Sequence, residues 1–257
     1  MPPRYIVGTS GYSFEDWVGP FYPPGTGRTG MLDQYVKHFE TVELNFSYYR
    51  IPTEATLARL ADKVPDGFTF WVKANQQTTH RRDRSIAGQF IGSLAPLAEA
   101  GKLAGVLMQF PQSFHRTADN RGYLAAAIDD FASVPLAVEF RHCSWDDPAA
   151  VAGLKDRGVT LVVPDVPEIE GLYRPAGPVV TTSTGYVRLH SRTAAKWYAG
   201  GAERYDYDYS GQELQGLLAA WSAVENEVER VYAFFNNCHR GQAARNAEAF
   251  RRLLGQI

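Results

Sequence analysis

A chain of 257 residues, 45% hydrophobic and 21% charged, can bury a full core, and its length suits one (β/α)8 domain or two smaller domains. The net charge of −2 excludes an overall basic field, so tight binding to long nucleic acid would need a local patch. The sequence has neither an apolar leader nor a run of the roughly 20 apolar residues that cross a bilayer. We therefore expect one domain over residues 1–257, in the cytoplasm and without a membrane partner.

Eight short runs rich in β-branched and aromatic residues recur along the chain, and each has the length of a strand. They cover residues 5–9, 41–45, 68–73, 105–109, 136–141, 159–163, 186–190 and 230–235. Stretches with helical spacing follow most of them, at residues 31–39, 53–64, 86–100, 122–131, 148–157, 210–228 and 243–254. Strands that alternate with helices in this way predict a parallel sheet. The sixth unit is irregular, because the breakers between Pro164 and Pro178 leave no clear helix.

The fifth strand places charges on one face, because Leu136, Val138 and Phe140 alternate with Glu139 and Arg141. The same change to polar side chains occurs at or just after the ends of other strands, with Glu43 and Asn45, Lys73, Gln109, Asp165, Arg188 and His190, and Asn236 and Asn237. A closed barrel gathers all its strand ends around one pocket. An open doubly wound sheet would leave most of these polar residues without a role. The pattern therefore favours a single (β/α)8 TIM-type barrel over an open sheet.

Short motifs in a fixed order run from the first strand to the last helix. They include Gly8-Thr9-Ser10-Gly11-Tyr12, Val42-Glu43-Leu44-Asn45, Gln109-Phe110-Pro111, Val138-Glu139-Phe140-Arg141, Tyr186-Val187-Arg188-Leu189-His190 and Phe235-Asn236-Asn237. Together they resemble the domain of unknown function 72, the YecE-like family. The chain departs at Ser191, where the family usually has Gly, and at Tyr12, where Trp is usual. The resemblance implies a TIM-type barrel and implies no reaction.

The cationic side chains at the predicted mouth suit an anionic ligand. A guanidinium can bind a phosphate or carboxylate through two parallel hydrogen bonds, so we expect Lys73, Arg141 and Arg188 to hold the anion. In the competing interpretation, the same cations only neutralise Glu43 and Glu139 in a buried ion network. The sequence leaves these two interpretations of the arginines open.

General acid/base chemistry is the expected reaction type, since burial raises one carboxyl pKa while a neighbouring arginine keeps another carboxyl ionised. The expected catalytic residues are Glu43, Glu139 and His190. A rim of aromatic rings could stack on a sugar or nucleobase, and amides could orient the substrate. The expected substrate-binding residues are Tyr12, Asn45, Tyr49, Lys73, His80, Arg141, Trp145, Arg188 and Asn236.

Two other functions remain open at this stage. The first is a metal-dependent phosphodiesterase or endonuclease-like hydrolase, with Glu43, Glu139, Asp165 and His190 as ligands of zinc or manganese. The neighbouring cations would repel such an ion, so a divalent metal is not favoured, no metal ligands are assigned and the cofactor is unknown. The second is a non-enzymatic nucleic-acid-binding protein that uses the aromatic rim and the run at residues 81–84. The expected partner is therefore an anionic small molecule or a nucleic-acid fragment.

Two further features carry expectations. Residues 205–209, which follow Gly200 and Gly201, resemble a mobile flap after the seventh strand. Cys143 and Cys238 lie in unrelated contexts, which favours reduced thiols over a disulfide.

Overall fold

The computed structural model describes residues 3–200 and 203–257, and its centre is one sheet of eight parallel strands. The strands are β1 (Arg4–Thr9), β2 (Thr41–Leu44), β3 (Thr69–Lys73), β4 (Leu103–Gln109), β5 (Leu136–Glu139), β6 (Thr160–Asp165), β7 (Thr184–Leu189) and β8 (Arg230–Phe235). They pair in the order β1-β8-β7-β6-β5-β4-β3-β2. Residues 1, 2, 201 and 202 of the predicted domain lie outside the described residues.

The sheet closes between β1 and β2. A parallel bridge joins Ser10 to Glu43, and the backbone nitrogen of Gly11 donates to the carbonyl oxygen of Glu43 at 2.8 Å. The two strands approach closely, because a Cβ on Gly8 would lie 2.4 Å from the carbonyl oxygen of Thr41. The fold is therefore the predicted (β/α)8 TIM-type barrel, and the open-sheet alternative is wrong.

Helices cover the outside of the barrel. Those in the described part of the chain are α1 (Arg28–Tyr35), α2 (Glu54–Lys63), α3 (Gln76–Thr79), α4 (Ala87–Ser93), α5 (Ala95–Glu99), α6 (Ala118–Asp130), α7 (Pro148–Asp156), α8 (Gly211–Ser222) and α9 (Gln242–Leu253). Side-chain caps fix several starts, as at Thr53, Asp147 and Ser210. None of these helices is long and apolar enough to span a bilayer.

The helix boundaries differ from the predictions at four places. Helix α1 covers Arg28–Tyr35, whereas residues 31–39 were predicted. The helix predicted at residues 86–100 is divided into α4 and α5 near Leu94, because Pro96 lies in the first turn of α5. Helix α6 begins at Ala118 rather than near residue 122, because Thr117 caps it. Helix α8 ends at Ser222 instead of residue 228. Residues 166–183 form no helix, which confirms the irregular sixth unit.

Alternate strand residues fill the barrel interior. Its lower part is apolar and aromatic, and consists of Ile6, Trp71, Leu107, Ala137, Val162, Tyr186, Tyr232 and Phe234. The rings of Trp71 and Tyr186 pack with their centroids 4.8 Å apart. Two residues further along these strands, the inward positions become polar, as at Lys73 and Arg188. The strand register thus places a charged layer directly above an aromatic core.

Candidate active site at the carboxyl ends of the strands

A cavity of about 670 Å³ opens above the charged layer, where the strands end. Nine predicted site residues line it: Tyr12, Asn45, Tyr49, Lys73, His80, Arg141, Arg188, His190 and Asn236. The remaining predicted site residues, Glu43, Glu139 and Trp145, do not line this cavity. The strand ends therefore bring most of the expected binding side chains together, as the barrel geometry requires.

Arg188 forms the floor of the cavity and is 1% exposed. Its Nε donates to Glu43 Oε2 at 2.9 Å and its Nη2 to Glu43 Oε1 at 2.6 Å, while its Nη1 donates to Glu139 Oε2. The hydroxyl of Tyr186 also donates to Glu43, at 2.7 Å. Burial lowers the pKa of Arg188, but the two carboxylates outweigh burial and raise it. One guanidinium thus bridges two buried carboxylates.

The two carboxylates lie below the cavity and are fully buried. Burial alone would raise the pKa of Glu139, but Arg141, Arg188 and His190 hold this pKa well below its ordinary value. Asn45 and Arg141, each two residues further along the chain, line the cavity, whereas Glu43 and Glu139 do not. Direct proton transfer between substrate and Glu43 or Glu139, which the sequence predicts, therefore does not fit this structure.

Arg141 lies beside the cavity with part of its guanidinium unpaired. Its Nε is 2.5 Å from Glu139 Oε1, and its Nη2 is 3.2 Å from Nε2 of His190. Its Nη1 is buried and has no hydrogen-bond partner among the described residues. Burial lowers the pKa of Arg141 to about 10, so the side chain remains charged at neutral pH. A buried cationic donor beside the cavity thus lacks a partner in the described part of the chain.

Lys73 is the second cation of the cavity wall. Its Nζ donates to Oε1 of Gln109 at 3.0 Å and lies 4.7 Å from the ring centroid of Tyr48. Burial, together with Arg188 and Arg141, lowers the pKa of Lys73 to about 7, against an opposing effect of the buried carboxylates. Near neutral pH the amine is therefore present in both protonation states.

The histidines of the cavity are neutral at neutral pH. Burial and Arg141 lower the pKa of His190 far below its ordinary value, and Asn236 Nδ2 donates to its Nδ1 at 2.8 Å. Burial, followed by Lys73 and Arg141, lowers the pKa of His80 to about 4. Both ring nitrogens of His190 have polar neighbours, so this ring is positioned to orient other groups rather than to supply a proton.

The aromatic rim is only partly as predicted. Tyr49 and Tyr198 are 75% and 66% exposed at the mouth. Trp145 instead stacks on Phe140 at 4.1 Å and on Phe114 at 5.4 Å between ring centroids. Phe140 points outward from β5, so Trp145 packs on the outer wall of the barrel and is buried there. Trp145, which the sequence predicts to bind substrate, therefore does not line the cavity.

Some lining residues were missing from the predicted site. They are chiefly Gln109, Tyr48, Trp197, Tyr198 and Arg204. Gln109 ends β4 two residues beyond Leu107, the partner of Lys73 in the strand register. Strand alternation indicated Gln109 as a polar strand end but gave it no role in binding. Arg204 lies 4.5 Å from the ring centroid of Trp197 in an irregular loop, where no periodic pattern could have indicated its position.

The possible metal ligands are not gathered in one place. Asp165 points outward from β6, where it binds Arg192 and accepts from the hydroxyl of Tyr209 at 3.0 Å. Within residues 3–200 and 203–257, no three His, Cys, Asp or Glu side chains are arranged to hold a metal ion. The metal-ligand set considered from the sequence therefore does not fit, and we derive no chemistry from it.

The remaining expectations have mixed outcomes. In the expected flap, the backbone nitrogens of Tyr207 and Tyr209 donate to Gln242 and Asn246 of α9, so this stretch is anchored; Gly201 lies outside the described residues. Both cysteines are free thiols, as predicted. In the basic run, Arg82 pairs with Asp119 and Arg84 with Asp130, so acidic groups already neutralise part of it.

Sequence comparisons identify the relatives of this chain. A family model described as "Protein of unknown function DUF72" matches residues 6–257. The UPF0759 protein YunF of Bacillus subtilis is 31% identical over 267 residues, covering 96% of this chain and 94% of YunF. The UPF0759 protein YecE of Escherichia coli is 25% identical over 174 residues, covering 62% of this chain and 58% of YecE.

Solved structures give the same relationship. A DUF72 family protein of Thermotoga maritima matches with a TM-score of 0.90 and 38% identity, over 98% of this chain and 99% of the other. A DUF72 family protein of Enterococcus faecalis matches with a TM-score of 0.84 and 30% identity, over 98% and 95% of the two chains. These matches confirm the resemblance seen in the motifs, and the chain belongs to the DUF72 family.

Proposed function

We propose that this protein is an enzyme that binds a small phosphate-bearing anion at the barrel mouth and catalyses proton transfer to or from this substrate. Arg141 and Lys73 hold the anion, and Lys73 is the proton-transfer group. The observation that carries the proposal is the unpaired Nη1 of Arg141, a buried charged donor beside the cavity. A buried donor without a partner is costly, so its presence favours a ligand that completes its hydrogen bonds.

The charges of the layer support this proposal. Two carboxylates, Glu43 and Glu139, face the three cationic side chains Arg188, Arg141 and Lys73. Arg188 and Arg141 together balance the two carboxylates, so the one surplus positive charge belongs to Lys73 when its amine is protonated. An anion placed there compensates the surplus, and a guanidinium donates two parallel hydrogen bonds to a phosphate.

The proton-transfer role follows from the lysine. A general acid or base is most effective when its pKa is close to the working pH, and the pKa of Lys73 is lowered to about 7. His190 and Asn236 orient the substrate without exchanging a proton. The volume of about 670 Å³ suits a small molecule, and a nucleic-acid fragment would enter only as far as its terminal phosphate.

Calorimetric titration of the protein with inorganic phosphate at pH 7 tests the binding step. We expect Arg141→Met to weaken binding by about 10- to 100-fold, because a hydrogen bond to a charged group is removed. Glu139 keeps Arg188 as a partner in this variant, so the fold is retained. Arg157→Met, which removes a surface ion pair with Asp129, is the matched control and leaves binding unchanged. Equal phosphate affinity in all three proteins would refute the proposed anion site.

If the protein instead binds nucleic acid, the same calorimetric titration should give a different result. A short single-stranded oligonucleotide would bind more tightly than phosphate, its affinity would fall steeply with salt, and loss of Arg81 and Arg82 would weaken it. Our proposal predicts that oligonucleotide and phosphate compete at Arg141 and that the run at residues 81–84 has no effect.

A further inference from the structure

We infer that Lys73 forms a Schiff base with the carbonyl group of the anionic substrate. The substrate class is then a small aldehyde or ketone that also carries a phosphate or carboxylate. This inference rests on the proposed function, because it uses the same anion site.

The amine of Lys73 has a neutral partner instead of a carboxylate. Its Nζ donates to Oε1 of Gln109, and the Nε2 of Gln109 is itself held by the carbonyl oxygen of Phe110 at 2.8 Å. The amide therefore cannot turn its nitrogen toward the lysine without losing this bond. A neutral acceptor orients the amine without strongly favouring its protonated form.

The other lysines do not combine a neutral partner with a place in the cavity. Lys37 also donates to a glutamine, Gln34, but it is exposed and lies outside the cavity. Lys63 pairs with Asp33 and Lys196 pairs with Asp206, so carboxylates favour their charged forms. The Nζ of Lys102 donates to two backbone carbonyls near the end of α2. Lys73 is the lysine that lines the cavity in the described part of the chain. Its position makes it the amine that a bound substrate meets.

The surrounding charges keep the lysine nucleophilic. A lysine amine attacks a carbonyl only when it is unprotonated, and burial next to other cations is a known way to reach that state at neutral pH. Burial and the nearby Arg188 and Arg141 lower the pKa of Lys73 to about 7, which agrees with the geometry. Near neutrality a large fraction of the amine thus carries a free electron pair.

The anionic end of the substrate is held on the neighbouring wall. Arg141 and Lys73 both line the cavity, and the unpaired Nη1 of Arg141 can bind the anion while the carbonyl carbon approaches Nζ of Lys73. The nitrogen lone pair forms the C–N bond, and the carbonyl electron pair moves to oxygen. Two protons, one from the amine and one taken up from solvent, leave with this oxygen as water when the C–O bond breaks. The other amine proton remains on the iminium nitrogen, so atoms and charge balance and no oxidant or reductant is consumed.

Reductive trapping tests the inference. The full-length protein is incubated with glyoxylate and sodium cyanoborohydride at pH 7, and the sites of carboxymethylation are mapped by mass spectrometry. We expect Lys73 to be labelled at least 10-fold faster than each of the other lysines, because binding at Arg141 concentrates the reagent there. Inorganic phosphate should slow this labelling by competition. Equal labelling of all lysines, or none at Lys73, overturns the inference.

Two variants distinguish a loss of the reactive amine from a loss of the folded structure. Lys73→Arg keeps a cation and removes the nucleophile, so the label at this position is lost while circular dichroism still shows a folded protein. Gln109→Glu places a carboxylate beside the amine and should move the pH at which labelling is half-maximal upward by about one unit. An unchanged pH profile in a folded Gln109→Glu protein contradicts the assigned environment of Lys73.

The results distinguish this inference from the proposed function. If phosphate binding depends on Arg141 but Lys73 is not labelled, the Schiff base is excluded and the anion site stands. If Lys73 is labelled selectively while phosphate does not bind, the role of Lys73 as a nucleophile is supported and the proposed anion site is refuted. Failure of both measurements rejects both proposals.

Discussion

Buried cations have different roles in the floor of the cavity, which is formed by Arg188, and in its wall, which contains Arg141 and Lys73. In the floor, every nitrogen of Arg188 that can donate faces Glu43, Glu139 or the hydroxyl of Ser10. In the wall, Arg141 is almost as buried but keeps Nη1 free. Lys73 has a neutral amide as its acceptor. A buried cation with complete partners holds the structure, whereas one with an open donor is available to a ligand.

The largest expected change in stability comes from replacing Arg188 in the floor of the cavity. Arg188→Met leaves two buried carboxylates with reduced compensation, and we expect the free energy of unfolding to fall by about 3–5 kcal/mol. Urea denaturation measures this loss. Arg157→Met, at an exposed ion pair, should change stability by about 0–1 kcal/mol. Similar small losses in both variants would show that the floor is not a structural ion network.

Removing the Lys73 cation from the cavity wall should raise the free energy of unfolding, whereas removing Arg188 from the floor should lower it. The folded-state pKa of Lys73 is about 7 against an ordinary value of 10.5, so between these pH values the unfolded chain binds more protons than the folded one. Stability from this group therefore increases as pH rises through that window. We expect Lys73→Met to be more stable than the parent at pH 7, by about 1 kcal/mol, with the difference shrinking toward pH 10.

Thermal unfolding of both proteins from pH 6 to pH 10 measures this difference. A variant that is less stable than the parent at pH 7 would mean that Lys73 is a satisfied structural cation. The wall and the floor would then not differ in the way proposed here.

The smallest effect is expected at the rim. Tyr49 is 75% exposed, so Tyr49→Ala should change the free energy of unfolding by about 0.5 kcal/mol or less. Trp145→Ala is the matched aromatic change in a buried position and should cost about 3–5 kcal/mol. A large loss of stability in Tyr49→Ala would show that the rim is part of the packing, not a surface available to ligand.

Much of the fold could be predicted, because strand and helix periods are local properties of the sequence. The alternation of Glu139 and Arg141 with Val138 and Phe140 correctly indicated one polar face, and the same alternation at Lys73 and Arg188 indicated a closed barrel. Helix ends were less predictable, since α4 and α5 separate at a proline whose effect depends on the turn before it.

The sequence could predict which residues lie near the candidate site, but not which of them reach the cavity and which are buried beneath it. Strand alternation shows that Glu43 and Asn45 share a face, but it does not tell which of them reaches the cavity. Likewise the sequence left the roles of Arg141 and Arg188 open, because partner choice depends on distances across the barrel. Trp145 was misplaced because the turn after β5 carries it to the outer wall.

The most direct test of this account is a crystal structure of the protein with inorganic phosphate at pH 7. We expect phosphate oxygens within hydrogen-bonding distance of Nη1 of Arg141 and Nζ of Lys73, while Arg188 still binds both Glu43 and Glu139. Phosphate bound to Arg188 with either glutamate displaced would contradict the division between floor and wall. Phosphate absent from the cavity would contradict the anion site itself.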